Sequence, residues 1–284
     1  LDDGAVLIVP PEVRLERPVH VVFLSSGETA AICHPRVLVV AGSNSRVNLV
    51  QDHVSLASAQ GFTNAVTEVF VEPGAAVEMV LLQREDERQF HTSNLGVRLE
   101  RDARFTSHTV TLGGAIVRND LEVTFAGEGA DCTANGLFVG DDRQLIDNHS
   151  LIDHATPLGT SSELYKGILT GAAKGVFRGR VIVRPDAQHT NARQSNPNLL
   201  LSDSAEINTK PQLEIHADDV KCSHGSAVGR LDENALFYLR TRGIGEERAR
   251  EMLSRGFASE VTRAISIEAL REEIDRLVAG KLDS

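Results

Sequence analysis

Lys210–Tyr238 reads KPQLEIHADDVKCSHGSAVGRLDENALFY, and two kinds of sequence meet inside it. As far as Gly229 the chain is strand-like. In an extended chain side chains alternate between faces, so Val220, Cys222 and His224 share one side. Successive Cα atoms on that side are roughly 7 Å apart at a rise of about 3.3 Å per residue. Beyond Gly229 the apolar spacing changes to three and four. Leu236 and Leu239 follow Asp232, and Gly243 ends that short helix. Ala249, Met252, Leu253, Gly256, Phe257 and Val261 make Glu246 to about Ile265 an amphipathic helix, with Glu246 and Glu247 at its positive end. Ser266 is placed to cap a third helix carrying Leu270, Ile274, Leu277 and Val278. The division expected is a β core domain over residues 1–229 and a C-terminal helical domain over 230–284.

Upstream of this junction the chain reads as many short strands. Ala5–Val9, Val19–Leu24, Arg36–Val40, Ala65–Val71 and Ala76–Leu82 are apolar or alternating. Turn-type stretches separate them: Ser26-Gly27, Gly42-Ser43-Asn44, Glu72-Pro73-Gly74 and Arg84–Arg88. A loose repeat, in which a small or acidic residue precedes Ala, opens several of them. It occurs at Gly74-Ala75, Asp102-Ala103, Gly129-Ala130, Asp186-Ala187 and Ser204-Ala205, at intervals of 28, 27, 57 and 18. Self-similarity over tens of residues favours stacked coils, a mainly β solenoid, over a sandwich, which is the alternative. The helical tail then either caps the solenoid or offers a docking surface.

Composition agrees with a β body. Of the 284 residues 41% are hydrophobic but only 4% aromatic, with no Trp, so the core rests on Val, Leu, Ile and Ala. A net charge of −11 without a long basic run argues against nucleic acid and anionic membrane surfaces as partners. Three scattered cysteines, Cys33, Cys132 and Cys222, do not make a disulfide framework; they point to a reducing, cytoplasmic setting. Cys33 and Cys132 are expected to be small buried hydrophobes. The apolar runs are too short to span a membrane. The chain opens on Leu1-Asp2-Asp3-Gly4 and enters strand sequence at once, which suggests a fragment or a processed product.

The chemical motifs are few. Cys222-Ser223-His224 can supply a thiolate and an imidazole to a soft or borderline metal, or be a buried thiol beside a hydrogen-bonded histidine. His216, Asp218 and Asp219 are near in sequence, but Asp219 falls on the opposite face, so the chain alone offers an incomplete site. His149, Asp153 and His154 suggest a metal or acid–base cluster, or polar rungs on a solenoid face. His189–Asn196 reads as a polar stretch stacked along the coils. P-loop, G-x-S-x-G and H-E-x-x-H motifs do not occur, and Gly127 and Gly129 lack the third glycine of a dinucleotide fingerprint.

Four ordered blocks add a resemblance: RPDAQHTNA at 184–192, NLLLS at 198–202, KPQLEIHADDVKCSHG at 210–225, and FYLR followed by RGI over 237–244. Together they resemble the SufB/SufD family of iron–sulfur cluster assembly scaffolds. The likeness is strongest over 163–257. Gly225 points to the SufD branch, since SufB usually carries Glu there. The resemblance implies a right-handed parallel β-helix followed by a C-terminal helical domain. It implies pairing with SufB through the β-helices, and a SufC ATPase on the C-terminal helices that supplies the nucleotide site this chain lacks. A homodimer is expected when SufB is absent. A transient iron–sulfur cluster forms at the SufB–SufD interface in this family, which makes His224 the candidate ligand and Cys222 a second. The family's N-terminal helical region has no counterpart ahead of the first strand. The competing reading, from another class, is a β-helix carbohydrate lyase or esterase using Asp and His around 147–154.

Overall fold

In the computed structural model, residues 4–26, 30–56 and 60–282 are described; the opening Leu1-Asp2-Asp3 and Gly27 of the expected first turn lie outside them. Among the described residues seventeen strands precede three helices. The strands are β1 Gly4–Val9, β2 Val19–Ser25, β3 Ala31–Cys33, β4 Arg36–Ala41, β5 Arg46–Ser55, β6 Gly61–Val71, β7 Ala76–Arg84, β8 Phe90–Leu99 and β9 Arg104–Thr111. They continue as β10 Ile116–Phe125, β11 Asp131–Gly140, β12 Leu145–His154, β13 Thr160–Leu169, β14 Lys174–Val183, β15 Asn191–Leu200, β16 Glu206–Ile215 and β17 Lys221–Gly229. The helices are α1 Glu233–Thr241, α2 Glu246–Thr262 and α3 Glu268–Leu282.

Every strand pairing is parallel, and alternate strands fall in two sheets. Sheet A runs β1-β4-β6-β8-β10-β12-β14-β16, with β3 beside β6; sheet B runs β2-β5-β7-β9-β11-β13-β15-β17. The chain thus climbs one coil at a time as a parallel β-helix, the fold the sequence led us to expect. Between the sheets lies a core of Val, Leu and Ala with Phe105, Phe125, Phe177 and the Cys132 thiol.

One row of turns explains the loose repeat. Asn44, Gly74, Asp102, Gly129, Leu158 and His189 all adopt positive φ. Each donates its backbone N–H to a carbonyl of the next turn, as Gly74 does to Arg101 (2.9 Å) and His189 to Asp219 (2.7 Å). The conformation is open to glycine and costs other residues energy, so the row is held by stacking. Ala75, Ala103 and Ala130 are true equivalents one coil apart, since Ala76 pairs with Arg104 and Arg104 with Asp131. Ala187 precedes its corner by three residues, because the position aligned with Ala130 is Thr190. Ala205 belongs to the opposite corner, beside Ala173. The irregular intervals came from mixing two corners.

Three expectations need correction. The helices do not cap the end of the solenoid. Ala258, Val261, Ile265, Ile274 and Val278 pack flat on Val80, Leu82, Val110, Leu137, Val139 and Ile168, the outer face of sheet B. Ser266 does not cap α3: its N–H donates to Glu78 Oε1 (2.9 Å) and its hydroxyl bonds Glu78 as well, tying the helices to β7. Cys33 is exposed rather than buried, because β3 is three residues long and pairs on one side only. Cys132 is buried as expected. Asp232 does cap α1, accepting from the Asn234 N–H, and Gly243 follows the helix at φ 83°. Among the described residues no helix is long and apolar enough to cross a membrane.

Candidate functional site

The last coil is built like the others but ends in the open. β16 and β17 are the terminal strands of sheets A and B, each with a strand on one side only. In β15, Pro197 has no N–H to give the ladder. The neighbouring Asn196 side chain donates instead to the Tyr165 carbonyl at 2.9 Å, which keeps the coil below in order.

On β17, Cys222 pairs in register with Ala192 and His224 with Gln194. Alternation puts Cys222 and His224 on the inward-facing side. Cys222 is half-buried against the core, and His224 is exposed because no coil covers it. Burial pushes the Cys222 thiol up, against the pull of a hydrogen bond with the Ala192 backbone, so ligation would require it to lose a proton. Beneath His224 a polar column enters the solenoid. Gln194 Nε2 donates to Glu163 Oε2 at 2.6 Å, and both side chains are buried. Burial raises the Glu163 carboxyl, against hydrogen bonds from Ser150 and Gln194. His216, Asp218 and Asp219 all remain at the surface, where Asp219 contacts His189 Nδ1 at 3.0 Å. They do not complete a site around Cys222.

The 147–154 cluster is split by the pleat. His149 faces out, 2.9 Å from Asp147 and 3.0 Å from Arg118. Asp153 faces out to Arg184 at 2.7 Å. His154 faces in, stacked on Phe125 with Nε2 2.8 Å from Ser161. These are polar rungs: His149 and Asp147 meet on the outer face, while Asp153 and His154 are each engaged elsewhere. The polar stretch at 189–196 likewise sends Thr190, Gln194 and Asn196 inward, and a Ser93–Asn119–Asn148 ladder bonds across three coils at 2.7 and 3.0 Å.

Past the open coil stands α1, which has no buried residue. Phe237 is 68% and Tyr238 57% exposed, in a chain of twelve Phe and Tyr together. With Leu200, Leu201, Leu231, Leu236 and Arg240, Phe237 borders a cleft of about 410 Å³. Phe237 and Tyr238 thus form an exposed aromatic pair on an unburied helix.

Residues 23–257 match the profile of the SufBD core domain of the SUF system for iron–sulfur cluster assembly. The chain belongs to the SufBD core family. It is 33% identical to a SufBD-family iron–sulfur cluster assembly protein of Synechocystis, over 98% of this chain and 64% of that one. It is 33% identical to the iron–sulfur cluster assembly protein SufD of Escherichia coli, over 93% of this chain and 62% of that one. A SufBD-family protein of Mycobacterium leprae is 39% identical over 75% of this chain and 56% of its own length. The chain therefore spans about three-fifths of the length of these three relatives. The matched region runs through the open coil and through α1, so the family's shared segment includes both exposed features.

The ligating side chains that folding does bring together were not visible as a motif. His53, Glu85 and His91 converge at the far end of the solenoid, each offering a ligand atom within 4.8 Å of the others. The signal that could have found them is positional: two histidines on inward positions of strands where Val and Leu are the rule.

Proposed function

We propose that the chain is a SufD-like scaffold that helps assemble and transfer iron–sulfur clusters where its last coil meets SufB. The observation that carries this reading is His224: exposed, on the terminal strand of sheet B, two residues from the half-buried Cys222. A strand with one unpaired edge is ready to add a second chain's strand, and an incomplete ligand set becomes complete when that chain brings its own groups. His224 is the ligand this chain contributes and Cys222 the second, once deprotonated. The cluster is cargo: a site split between two chains holds it while they are together and opens when they move. Without SufB, a second copy of this chain is the partner for the same edge.

Residues 1–229 act as the scaffold and 230–284 as the docking unit for a SufC ATPase, with Phe237 and Tyr238 at the contact. ATP hydrolysis is then supplied by SufC, and this chain is a non-catalytic subunit working in a reducing compartment such as the cytoplasm. Because α2 and α3 share a core with sheet B, movement of a docked ATPase passes directly to the coils.

The test is anaerobic reconstitution of the SufB–SufC complex with this chain or with its His224→Ala variant. The variant complex is expected to form normally and to give much weaker iron–sulfur absorption; an equal cluster yield ends the assignment of His224. Replacing Phe237 and Tyr238 with Ser is expected to abolish SufC retention in a pulldown while leaving SufB pairing intact.

A further inference from the structure

At the end of the solenoid opposite His224, two stacks of inward side chains turn polar. On sheet B, Phe23, His53, Gln83 and Thr111 are in register. On sheet A, Cys33, Thr63, His91 and Val117 are in register. Glu85, just past the end of β7, projects between the two stacks. All three ligating groups are out of water: His53 is 1%, His91 0% and Glu85 4% exposed.

Glu85 is well held. Its Oε2 is 2.7 Å from His91 Nδ1, and its Oε1 accepts from the Thr63 hydroxyl at 2.7 Å. Burial works to raise its carboxyl, but the hydrogen bonds and charge of His91, with the Thr63 bond, outweigh this and bring it down to about 2. A structural ion pair would account for Glu85 and His91. It does not account for His53. Both ring nitrogens of His53, and Nε2 of His91, are buried with no hydrogen-bond partner among the described residues. Phe23 stacks on the His53 ring at 4.7 Å and His91 meets it edge-on at 4.8 Å. Leaving such nitrogens unpaired costs on the order of 1–3 kcal/mol each, and nothing in the packing repays it. Burial, then the neighbouring His91, lower the His53 pKa to about 3, so at neutral pH its lone pair is free.

We infer that His53, Glu85 and His91 form a binding site for a divalent first-row transition ion of the Zn²⁺ and Fe²⁺ class. Two imidazoles and one carboxylate are the donor set such ions take, while Mg²⁺ and Ca²⁺ prefer oxygen alone. Bonds of about 2.0–2.2 Å place ligand atoms roughly 3.4 Å apart, and the three groups already offer atoms within 4.8 Å of one another. A cavity of about 250 Å³ lined by Phe23, Cys33, His34, Thr63 and Glu85 reaches the carboxylate from outside. This site is independent of the SufB-facing coil and of the reading given to it.

The experiment is titration of the 284-residue chain with Co²⁺ under anaerobic conditions, followed by Zn²⁺ competition. One equivalent of Co²⁺ is expected to produce visible d–d absorption that Zn²⁺ abolishes. His224→Ala is expected to leave it unchanged, and His53→Gln to weaken it by at least the roughly 10- to 100-fold seen for outer-shell changes. Loss of the band in His224→Ala, or its retention in a His53→Gln variant of native circular dichroism, overturns the proposal. Should His53→Gln not fold, X-ray absorption of the Zn²⁺-loaded natural chain decides: two imidazoles in the first shell support the site, and a shell without imidazole refutes it.

Discussion

The two sheets share one backbone pattern and present opposite outer faces. On sheet A the outward positions carry Arg36, Glu68, Arg118, Asp147, Arg180 and Glu214, paired across coils as in Arg180–Glu214 at 2.6 Å. Its strands accordingly alternate buried and accessible along their length, as β12 does throughout. On sheet B the outward positions are Val80, Leu82, Val110, Val139 and Ile168, and the second half of β11 is buried without a break. Alternation therefore announces a face left to water, and its breakdown announces a face that something covers. Here α2 and α3 cover it. Lys166 marks the seam: its ammonium lies 4.2 Å from the centre of the Phe257 ring, donates to the Phe257 carbonyl at 3.1 Å and pairs with Glu260.

This contrast is open to test. Ile274→Ala, at the buried seam, is expected to cost about 2–5 kcal/mol, the range for large-to-small core changes, read from urea unfolding. A loss below 1 kcal/mol would mean that the helices sit loosely on sheet B. A smaller effect separates inside from outside by pH. Burial lowers the pKa of His53 to about 3 and of His154 to about 4. Both are therefore neutral in the folded chain and charged in the unfolded chain between those values and the ordinary 6.5. Their contribution is complete above about pH 6.5 and is lost as pH falls, by up to about 1.4 kcal/mol per histidine per unit. Glu163, raised by burial, works in the opposite direction over the carboxylate range. Thermal unfolding at pH 7.5 and 5 is expected to show the loss, and His154→Gln to flatten the slope; an unchanged slope would mean that His154 already reaches water. The smallest effect belongs to the open face of sheet A. Arg180→Gln breaks an exposed pair and is expected to leave the unfolding midpoint where it was; a clear drop would show that this face, too, is covered by something in solution.

The solenoid, its strands near the amino end and the helical tail were legible because periods of two and of about 3.6 are local properties of a chain. His224 was singled out through family likeness, and the structure places it on the last strand with nothing stacked on it. The polar-rung reading of 147–154 held, because the pleat sends His149 and His154 to opposite sides. Two features escaped. The helices' resting place depends on the outer face of strands up to two hundred residues away. His53 and His91 looked unrelated because they are 38 residues apart, yet one coil of the solenoid brings their rings to 4.8 Å.

The amino-acid sequence alone determined that this protein is stacked strands followed by helices, and which imidazole stands at the end of the stack. Only the tertiary structure decided which sheet the helices cover and which buried polar groups meet. Period and turn chemistry act within a few residues, but coil register, set by inter-strand hydrogen bonds and core packing together, fixes every contact between coils at once.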